Sequence, residues 1–175
     1  MRVIVTDPKE VEKLAAGMKD ENTQFKAFLL QADRAQKDIE SFISYLSRRT
    51  TEAIDCTACG ECCRRVRPLL DDFDIERLTD GLNIESEKFK GQYLTKHIAR
   101  PYDYIFNTLP CPFLDGNRCS YYEFRPQACD RFPQLGGSQF FERLANMFHQ
   151  YTFCPIVFNV LEDLKMELGI KGPEK

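Results

Sequence analysis

Apolar residues recur every three or four positions along two stretches of the chain, the spacing of one face of an α-helix. Between Thr23 and Arg49 the repeat predicts one long helix that packs on its own domain, because aromatic residues lie in the stripe and it is shorter than about four heptads. Its apolar positions are Phe25, Phe28, Leu29, Ala32, Ile39, Phe42, Ile43 and Leu46. The second repeat predicts a helix from Pro155 that ends before Gly169, with one face formed by Ile156, Val160, Leu164 and Leu168.

Boundary signals predict shorter helices between these two. Asp7 and Pro8 are typical of an N-cap and a first helical turn, so a helix should run to about Lys19. The segment "PLLDDFDIERLTDGLNI" predicts a helix that opens near its aspartates and stops at Gly81. Further helices are expected in "SEKFKGQYLTKHI" and from about Ser138 to Gln150, and the tail "KGPEK" is expected to be disordered.

The periodic pattern gives way to proline, glycine, asparagine and aromatic residues between Pro101 and Pro126. Within it, "CPFLDGNRCSYY" predicts two short strands joined by a turn at residues 115–117. The predicted fold is therefore mainly α: a single compact domain, 1–175, with a small β-hairpin, stapled by cysteine-ligated metal. Its parts are an N-terminal helical segment (1–52), a cysteine-cluster core (53–156) and a C-terminal helix with a tail (157–175).

Composition agrees with one domain that has a real core, since the chain has 175 residues, of which 43% are hydrophobic and 29% charged. A net charge of -3 gives no overall attraction to nucleic acid or anionic lipid, so we expect neither as a partner. The apolar stretch before Asp7 is too short for a secretion signal, and no run of about 18 apolar residues occurs. We therefore expect a cytosolic protein.

Eight cysteines in a chain expected to be cytosolic call for a chemical explanation. Thiols stay reduced in the cytosol and structural disulfides are rare there, so metal ligation is the leading interpretation. Four disulfides in an exported protein are the alternative.

The stretch "CTACGECC" places Cys56, Cys59 and Cys62 at i, i+3 and i+6, a spacing that lets a short loop wrap one inorganic centre with several thiolates. Bacterial ferredoxins open with the same C-x2-C-x2-C. They complete the ligand set with a cysteine followed by proline, whereas here Cys63 follows at once. A simple ferredoxin is therefore a poor match.

The other cysteines are Cys111, Cys119, Cys129 and Cys154. Cys111 and Cys119 stand at the two ends of the predicted hairpin, where a metal could clamp both strands. Cys129 is expected in one helical turn whose free amides would stabilise a thiolate. Adjacent side chains diverge, so Cys62 and Cys63 should serve different sites, or one of them should only pack. Eight sulfurs then fill two four-thiolate sites, or one cluster with several thiols to spare. In either case the loop 56–63 and the region 111–129 must meet in space.

Several other residue sets have two interpretations each. Arginines beside the cysteines, such as Arg64, Arg65, Arg118 and Arg125, would offset thiolate charge or form a solvated face. The two histidines, His97 and His149, and the acids Asp71, Asp72 and Asp74 are interpreted first as surface residues and helix caps, and second as metal ligands. Aromatic residues near the cysteines would form an apolar jacket, with Tyr121 and Tyr122 the best candidates to face a pocket.

Taken together, "CTACGECC", "CPFLDGNRCSYYEFRPQAC", "DRFP" and the final "CP" resemble the YkgJ-type cysteine-cluster family of zinc- or iron-chelating domains, over residues 54–155. The resemblance implies metal ligation by most of the matching cysteines, which are Cys56, Cys59, Cys62, Cys63, Cys111, Cys119, Cys129 and Cys154. The expected Cys-Arg-x-Phe-Pro reads Cys129-Asp130-Arg131-Phe132-Pro133, a departure that leaves Arg131 without an inherited role. Flagellin lysine methylases carry a similar motif in a longer chain, with an iron–sulfur cluster.

Two functions follow as hypotheses. The first is an iron–sulfur protein, with a 4Fe-4S cluster favoured, that acts in electron transfer or as the redox centre of a protein-modifying reaction. The alternative is a structural or chelating zinc protein that serves as an interaction module for an unknown protein partner. No recognised catalytic constellation is present, and the sequence decides neither for nor against an enzyme.

Overall fold

A computed structural model describes residues 2–32, 36–136 and 140–170, with the backbone alone at 101 and 102. The fold of these residues is mainly α, as predicted, and no helix among them has the length and apolar character needed to span a bilayer. The helices are α1 (Pro8–Gly17), α2 (Lys19–Gln31), α3 (Gln36–Ala53), α4 (Glu61–Arg65), α5 (Asp72–Leu82), α6 (Ser86–Tyr93), α7 (Gln127–Asp130), α8 (Leu144–Tyr151) and α9 (Pro155–Glu167). The strands are β1 (Leu69–Leu70), β2 (Leu94–His97), β3 (Arg100–Phe106), β4 (Leu114–Asp115) and β5 (Arg118–Cys119).

The chain divides into two compact units. The helical unit consists of the described residues up to 55 and from 133 onward, and the cysteine unit consists of residues 56–132. Cys154 belongs to the helical unit, and the other seven cysteines belong to the cysteine unit. A single domain with inner boundaries at residues 52 and 156 stays a prediction.

Helix α9 is the core of the helical unit. It begins at Pro155, as predicted, and α1, α3 and α8 pack on it. Its buried side chains are not confined to one stripe, since Val157, Phe158 and Leu161 are as inaccessible as Ile156. A helix that is buried on all sides is a core helix, which agrees with the packing of three other helices on it.

The prediction of one helix from Thr23 to Arg49 is wrong. Helix α2 ends at Gln31, where Ala32 leaves the helical conformation with ψ at 37°, and α3 begins at Gln36. The predicted apolar face is mostly buried, but Phe28 is 44% exposed. An apolar repeat reports which face is buried, and it runs on unchanged whether or not the backbone hydrogen bonds continue. No glycine or proline marks the break between the two helices.

The ends of the other helices follow local side-chain chemistry. The predicted start of α1 is confirmed, because the Asp7 carboxylate accepts the Lys9 N–H at 3.0 Å. The predicted stop of α5 at Gly81 is wrong, since the helix continues to Leu82 and Asn83 ends it in the left-handed conformation, with φ at 51°. Asparagine serves there in place of the usual glycine.

Two more predicted elements are revised or lie outside the described residues. The helix expected from about residue 138 begins at Leu144, and residues 137–139 are outside the described ranges. The tail at 171–175, expected to be disordered, is outside them as well. The segment 86–98 is a helix only as far as Tyr93, after which it becomes strand β2.

The cysteine unit has a three-stranded antiparallel sheet that the sequence pattern does not reveal. Its strand order is β1-β3-β2, with Leu69 opposite Ile105 and Leu94 opposite Phe106. Strands this short carry too little alternation to be recognised from sequence. The sheet and the helices beside it share one apolar cluster, formed by Leu70, Ile75, Leu78, Phe89, Leu94, Phe106 and Phe113.

The predicted β-hairpin is confirmed. Strands β4 and β5 pair through Leu114 opposite Cys119 and Asp115 opposite Arg118. Gly116 has φ at +57°, a conformation that glycine adopts without strain. Each strand is only two residues long, so this hairpin depends on its surroundings for support.

Candidate metal centre

The segment Cys56–Cys63, here called the cysteine loop, consists of two short turns joined at a glycine. Residues Cys56–Ala58 form a 3₁₀ turn that packs against β5. Gly60 then reverses the chain with φ at +68°, and α4 begins at Glu61. Cys62 and Cys63 are carried on α4. The wrapping of one inorganic centre by Cys56, Cys59 and Cys62 stays a prediction.

Two side chains fasten the cysteine loop to the hairpin turn. Arg64 donates to the carbonyl oxygen of Cys59 at 3.0 Å and to that of Gly116 at 2.7 Å. In the opposite direction, the Asn117 side-chain amide donates to the carbonyl oxygen of Ala58 at 2.9 Å. A Cβ placed on Gly60 would lie 3.0 Å from the Asn117 backbone, so the loop and the turn are in direct contact.

The cysteines of the hairpin region are held next to Cys63 by backbone bonds. The Cys111 N–H donates to the Cys63 carbonyl oxygen at 2.8 Å. The Leu114 N–H donates to the Cys111 carbonyl oxygen at 3.1 Å, and Leu114 pairs with Cys119 across the hairpin. The prediction that the cysteine loop and the region 111–129 meet in space is confirmed.

Cys129 joins the same group of thiols from a fourth segment, the short helix α7. Burial, followed by the charges of Cys63, Cys111 and Cys119, raises the pKa of the Cys129 thiol. The expected stabilisation of its thiolate by free helix amides stays a prediction, and the Cys129 N–H itself donates to the Pro126 carbonyl oxygen at 2.9 Å. Cys63, Cys111, Cys119 and Cys129, here called the four-thiol set, thus share one electrostatic neighbourhood.

Protonation differs across the four-thiol set. Burial raises the pKa of Cys111 to about 11 and also raises the pKa of Cys119. A hydrogen bond from Cys62 lowers the pKa of Cys63 to about 7, and the Arg64 charge contributes to this shift. Without a metal cation, most of these half-buried sulfurs are therefore neutral thiols at neutral pH.

Cys62 and Cys63 lie closer together than predicted. Their sulfur atoms are 3.9 Å apart, whereas adjacent side chains were expected to diverge. Four sulfurs around one zinc ion, each about 2.3 Å from the metal, are separated by about 3.8 Å, so the two thiols have the spacing of two ligands of one ion. The prediction fails because the backbone sets only the Cα–Cβ directions, and rotation about χ1 can turn two neighbouring sulfurs toward each other.

The chemistry of the four-thiol set suits zinc or iron, for which thiolate sulfur is a preferred ligand. Among the described residues, no group of three or more His, Cys, Asp or Glu side chains has a geometry that could hold a metal ion as it stands. The thiols therefore fit such an ion in donor type and in the segments that bring them together.

The other four predicted ligands are placed differently. Cys59 and Cys62 lie beside Cys63 in the cysteine loop, with burial raising the pKa of Cys59, whereas Cys56 is exposed. Cys154 is buried in the helical unit, directly before α9. Ligation by each of the eight cysteines stays a prediction.

The remaining candidates are interpreted in structural terms. Asp71 caps α5, accepting the Asp74 N–H at 2.8 Å, as predicted. The His149 ring packs on Phe153 with 5.6 Å between ring centroids. The apolar jacket is confirmed for Tyr121, whose ring lies edge-on to Phe113 at 5.3 Å. Tyr122 faces solvent and is 46% exposed.

Two residues of the site escaped prediction because their roles depend on contacts between distant segments. Asn117 was identified only as a turn residue, although its amide also bonds to the cysteine loop. Asp74 was identified as an acid near a helix start, with metal ligation as the second interpretation. It is in fact 4% exposed, and its carboxylate accepts the Gln127 N–H at 2.8 Å, at the start of the helix that carries Cys129.

A mainly helical fold that brings cysteines from loop, hairpin and helix segments together is typical of a cysteine-rich metal-binding protein. Residues 55–154, more than half of the chain, match the family model described as "CxxCxxCC: Putative zinc- or iron-chelating domain". The chain belongs to this family, as its cysteine motifs predict. No curated protein and no solved structure matches the chain significantly.

Proposed function

We propose that this protein binds an iron–sulfur cluster and acts in electron transfer or as the redox centre of a protein-modifying reaction. The observation that carries the proposal is the convergence of the four-thiol set from four separate segments, with Cys59 and Cys62 beside it. Thiolates are the usual ligands of iron–sulfur clusters, and such a cluster, when bound, supplies one-electron redox chemistry. The C-x2-C-x2-C spacing of Cys56, Cys59 and Cys62, which bacterial ferredoxins share, favours a cluster over a single ion.

The residues around the four-thiol set favour a metal centre that carries excess negative charge. Four thiolates around a zinc ion or around an oxidised four-iron cluster leave about two negative charges in excess. Arg64 lowers the pKa of Cys63, and Arg125 acts in the same direction on Cys119. These two guanidinium groups would offset the charge, and the packing of Phe113 and Tyr121 would limit access of water.

The alternative is a zinc ion that holds the fold for a partner protein. It is favoured by the small size of the elements that carry the four thiols, since β5 has two residues, α7 has four and α4 has five. Elements this short have little stability of their own, and a structural metal contributes folding free energy directly. Cytosolic location and a protein partner stay predictions, as do the expectations of no nucleic-acid or membrane partner.

Metal content decides between the two functions. We expect protein purified without exposure to air to be coloured and to contain iron and acid-labile sulfide. Serine at Cys63, Cys111, Cys119 or Cys129 should each reduce the iron content. Colourless protein with zinc at one ion per chain would establish the alternative, and protein that retains neither metal would refute both.

A further inference from the structure

Asp74 is a carboxylate buried within the cysteine unit. It is 4% exposed, and acidic side chains are almost never this buried unless they have a partner. It lies in the first turn of α5, but it does not serve that helix as a cap, because Asp71 does so by accepting the Asp74 N–H at 2.8 Å. The carboxylate of Asp74 is therefore available to another element.

That element is α7, the four-residue helix that contains Cys129. The Asp74 Oδ1 accepts the Gln127 N–H at 2.8 Å, across 53 positions of sequence. Pro126 occupies the N-cap of α7 and makes no side-chain capping bond. Asp74 thus performs from α5 the task that a serine or aspartate usually performs at the N-cap itself.

The bond to Gln127 also determines where Cys129 lies. Cys129 follows Gln127 by two residues, and its own N–H donates to Pro126 at 2.9 Å within the same turn. Any displacement of the start of α7 therefore moves the Cys129 sulfur relative to Cys63, Cys111 and Cys119. Metal sites commonly need residues that do not touch the metal but hold its ligands in position.

We infer that Asp74 is a positioning residue that holds Cys129 in place for metal, through its hydrogen bond to the backbone of α7. This inference rests on the proposed role of Cys129 as a ligand. Asp74 could act on Cys129 in two ways, through its hydrogen bond to Gln127 or through its negative charge, and the test must distinguish them.

Three substitutions separate these effects. Asp74→Asn keeps an acceptor oxygen for the Gln127 N–H and removes the charge, whereas Asp74→Ala removes both. Gln127→Pro removes only the donor, and it suits the site because proline is favoured at the first helical position and Pro126 has the extended ψ of 151° that a following proline requires. Asp72→Asn is the control, since the Asp72 side chain is 83% exposed.

The experiment is a titration of the reduced, metal-free full chain with Co²⁺ under anaerobic conditions, followed by thiolate-to-cobalt charge-transfer absorbance. We expect the wild type, Asp72→Asn and Asp74→Asn to show the same absorbance at saturation. Asp74→Ala and Gln127→Pro should lose about one quarter of it, the share of one sulfur in four, and bind Co²⁺ about 10- to 100-fold more weakly. The double variant with Asp74→Ala and Gln127→Pro should bind Co²⁺ no more weakly than either single variant, because both changes remove the same hydrogen bond.

A wild-type chain that shows no thiolate absorbance with Co²⁺ would show that the four-thiol set does not bind a single ion, and this would overturn the role of Asp74 as stated. The proposed function itself is refuted only when the natively purified protein retains neither iron nor zinc. A wild-type chain that shows the absorbance, while Asp74→Ala and Gln127→Pro show it undiminished and with unchanged affinity, would overturn only the role of Asp74. Lower stability of the metal-free variants with full absorbance at saturation would assign Asp74 to folding alone and would also overturn it. If Asp74→Ala does not fold, Gln127→Pro decides the question.

Discussion

Gly60 lies where the cysteine loop touches the hairpin turn, and two separate requirements keep glycine there. Its φ is +68°, and a Cβ would lie 2.8 Å from the Arg64 guanidinium and 3.0 Å from the Asn117 backbone. Gly116 also has positive φ, at +57°, but a Cβ at that position would have no neighbouring atom within 4 Å, so Gly116 shares only the first requirement.

We therefore expect Gly60→Ala to cost more than Gly116→Ala. The conformational strain alone should lower the free energy of unfolding by about 1 kcal/mol at Gly116, and strain plus displacement of the turn should lower it by about 3 kcal/mol at Gly60. Urea denaturation of the reduced, metal-free chain measures both values. If both variants lower the free energy of unfolding equally, the close contact at Gly60 does not contribute to stability.

The pKa values of Cys63 and Cys111 predict different reactivity in two thiols that are similarly half-buried. With a pKa of about 7, Cys63 should react with iodoacetamide as a thiolate at neutral pH, whereas Cys111, with a pKa of about 11, should react on the order of a thousand times more slowly. Mass spectrometry of the metal-free chain after timed alkylation measures both rates. In urea the two rates should become similar, and a Cys111 that reacts as fast as Cys63 in the folded chain would contradict the prediction.

At the scale of helices and strands, sequence patterns predicted the elements whose boundaries depend on local chemistry. The Asp7 cap of α1, the Pro155 start of α9 and the hairpin turn at Gly116 are all present. Elements that depend on tertiary contacts were missed or misplaced. No glycine or proline marks the break after Gln31. Strand β1 has only two residues, and it forms because it pairs with β3.

Helix α9 carries a buried charged group whose energetic weight can be measured. Lys165 is 0% exposed, and its ammonium donates to Glu21 and Glu162, both at 2.7 Å. Tyr151 donates its hydroxyl to the same Glu162 oxygen at 2.7 Å. The network joins α2, α8 and α9 within the helical unit.

Replacing the lysine leaves two carboxylates without their shared cation. We expect Lys165→Met to lower the free energy of unfolding by about 3 kcal/mol, because a buried partner left behind is costly. The matched control is Lys19→Met on exposed α2 surface, which should change it by less than about 0.5 kcal/mol. Both are measured by urea denaturation. A Lys165→Met variant as stable as the control would show that losing the shared cation does not destabilise the two glutamates.

At the scale of the whole molecule, the sequence located the site better than it described it. Cysteine counting and spacing identified the ligand candidates, and the need for four ligands correctly required the loop to meet the hairpin region. The grouping of Cys63 with Cys111, Cys119 and Cys129, and the approach of Cys62 to Cys63, depend on side-chain rotation and on backbone bonds between segments. The hydrogen bond from Gln127 to Asp74 joins residues 53 positions apart, and a single sequence does not indicate which residues so far apart are in contact.

The pKa values of the four-thiol set determine how metal binding should depend on pH. Metal binds thiolates, so every ligand that is a neutral thiol beforehand must release its proton. The pKa values of Cys111, Cys119 and Cys129 are all raised above the ordinary 9.0, and that of Cys63 is lowered to about 7. At pH 8 the first three are neutral and Cys63 is mostly ionised, so about three protons should be released per Zn²⁺ bound, rising to about four at pH 6.

Affinity must therefore increase with pH, since each released proton makes binding about tenfold tighter per pH unit while its thiol is still protonated. Calorimetric titration with Zn²⁺ at pH 8, in buffers of different ionisation enthalpy, counts the protons directly. Cys119→Ser should release about one fewer, because it removes one neutral thiol from the set. A release of one proton or none by the wild type would mean that the four thiols do not act together as ligands.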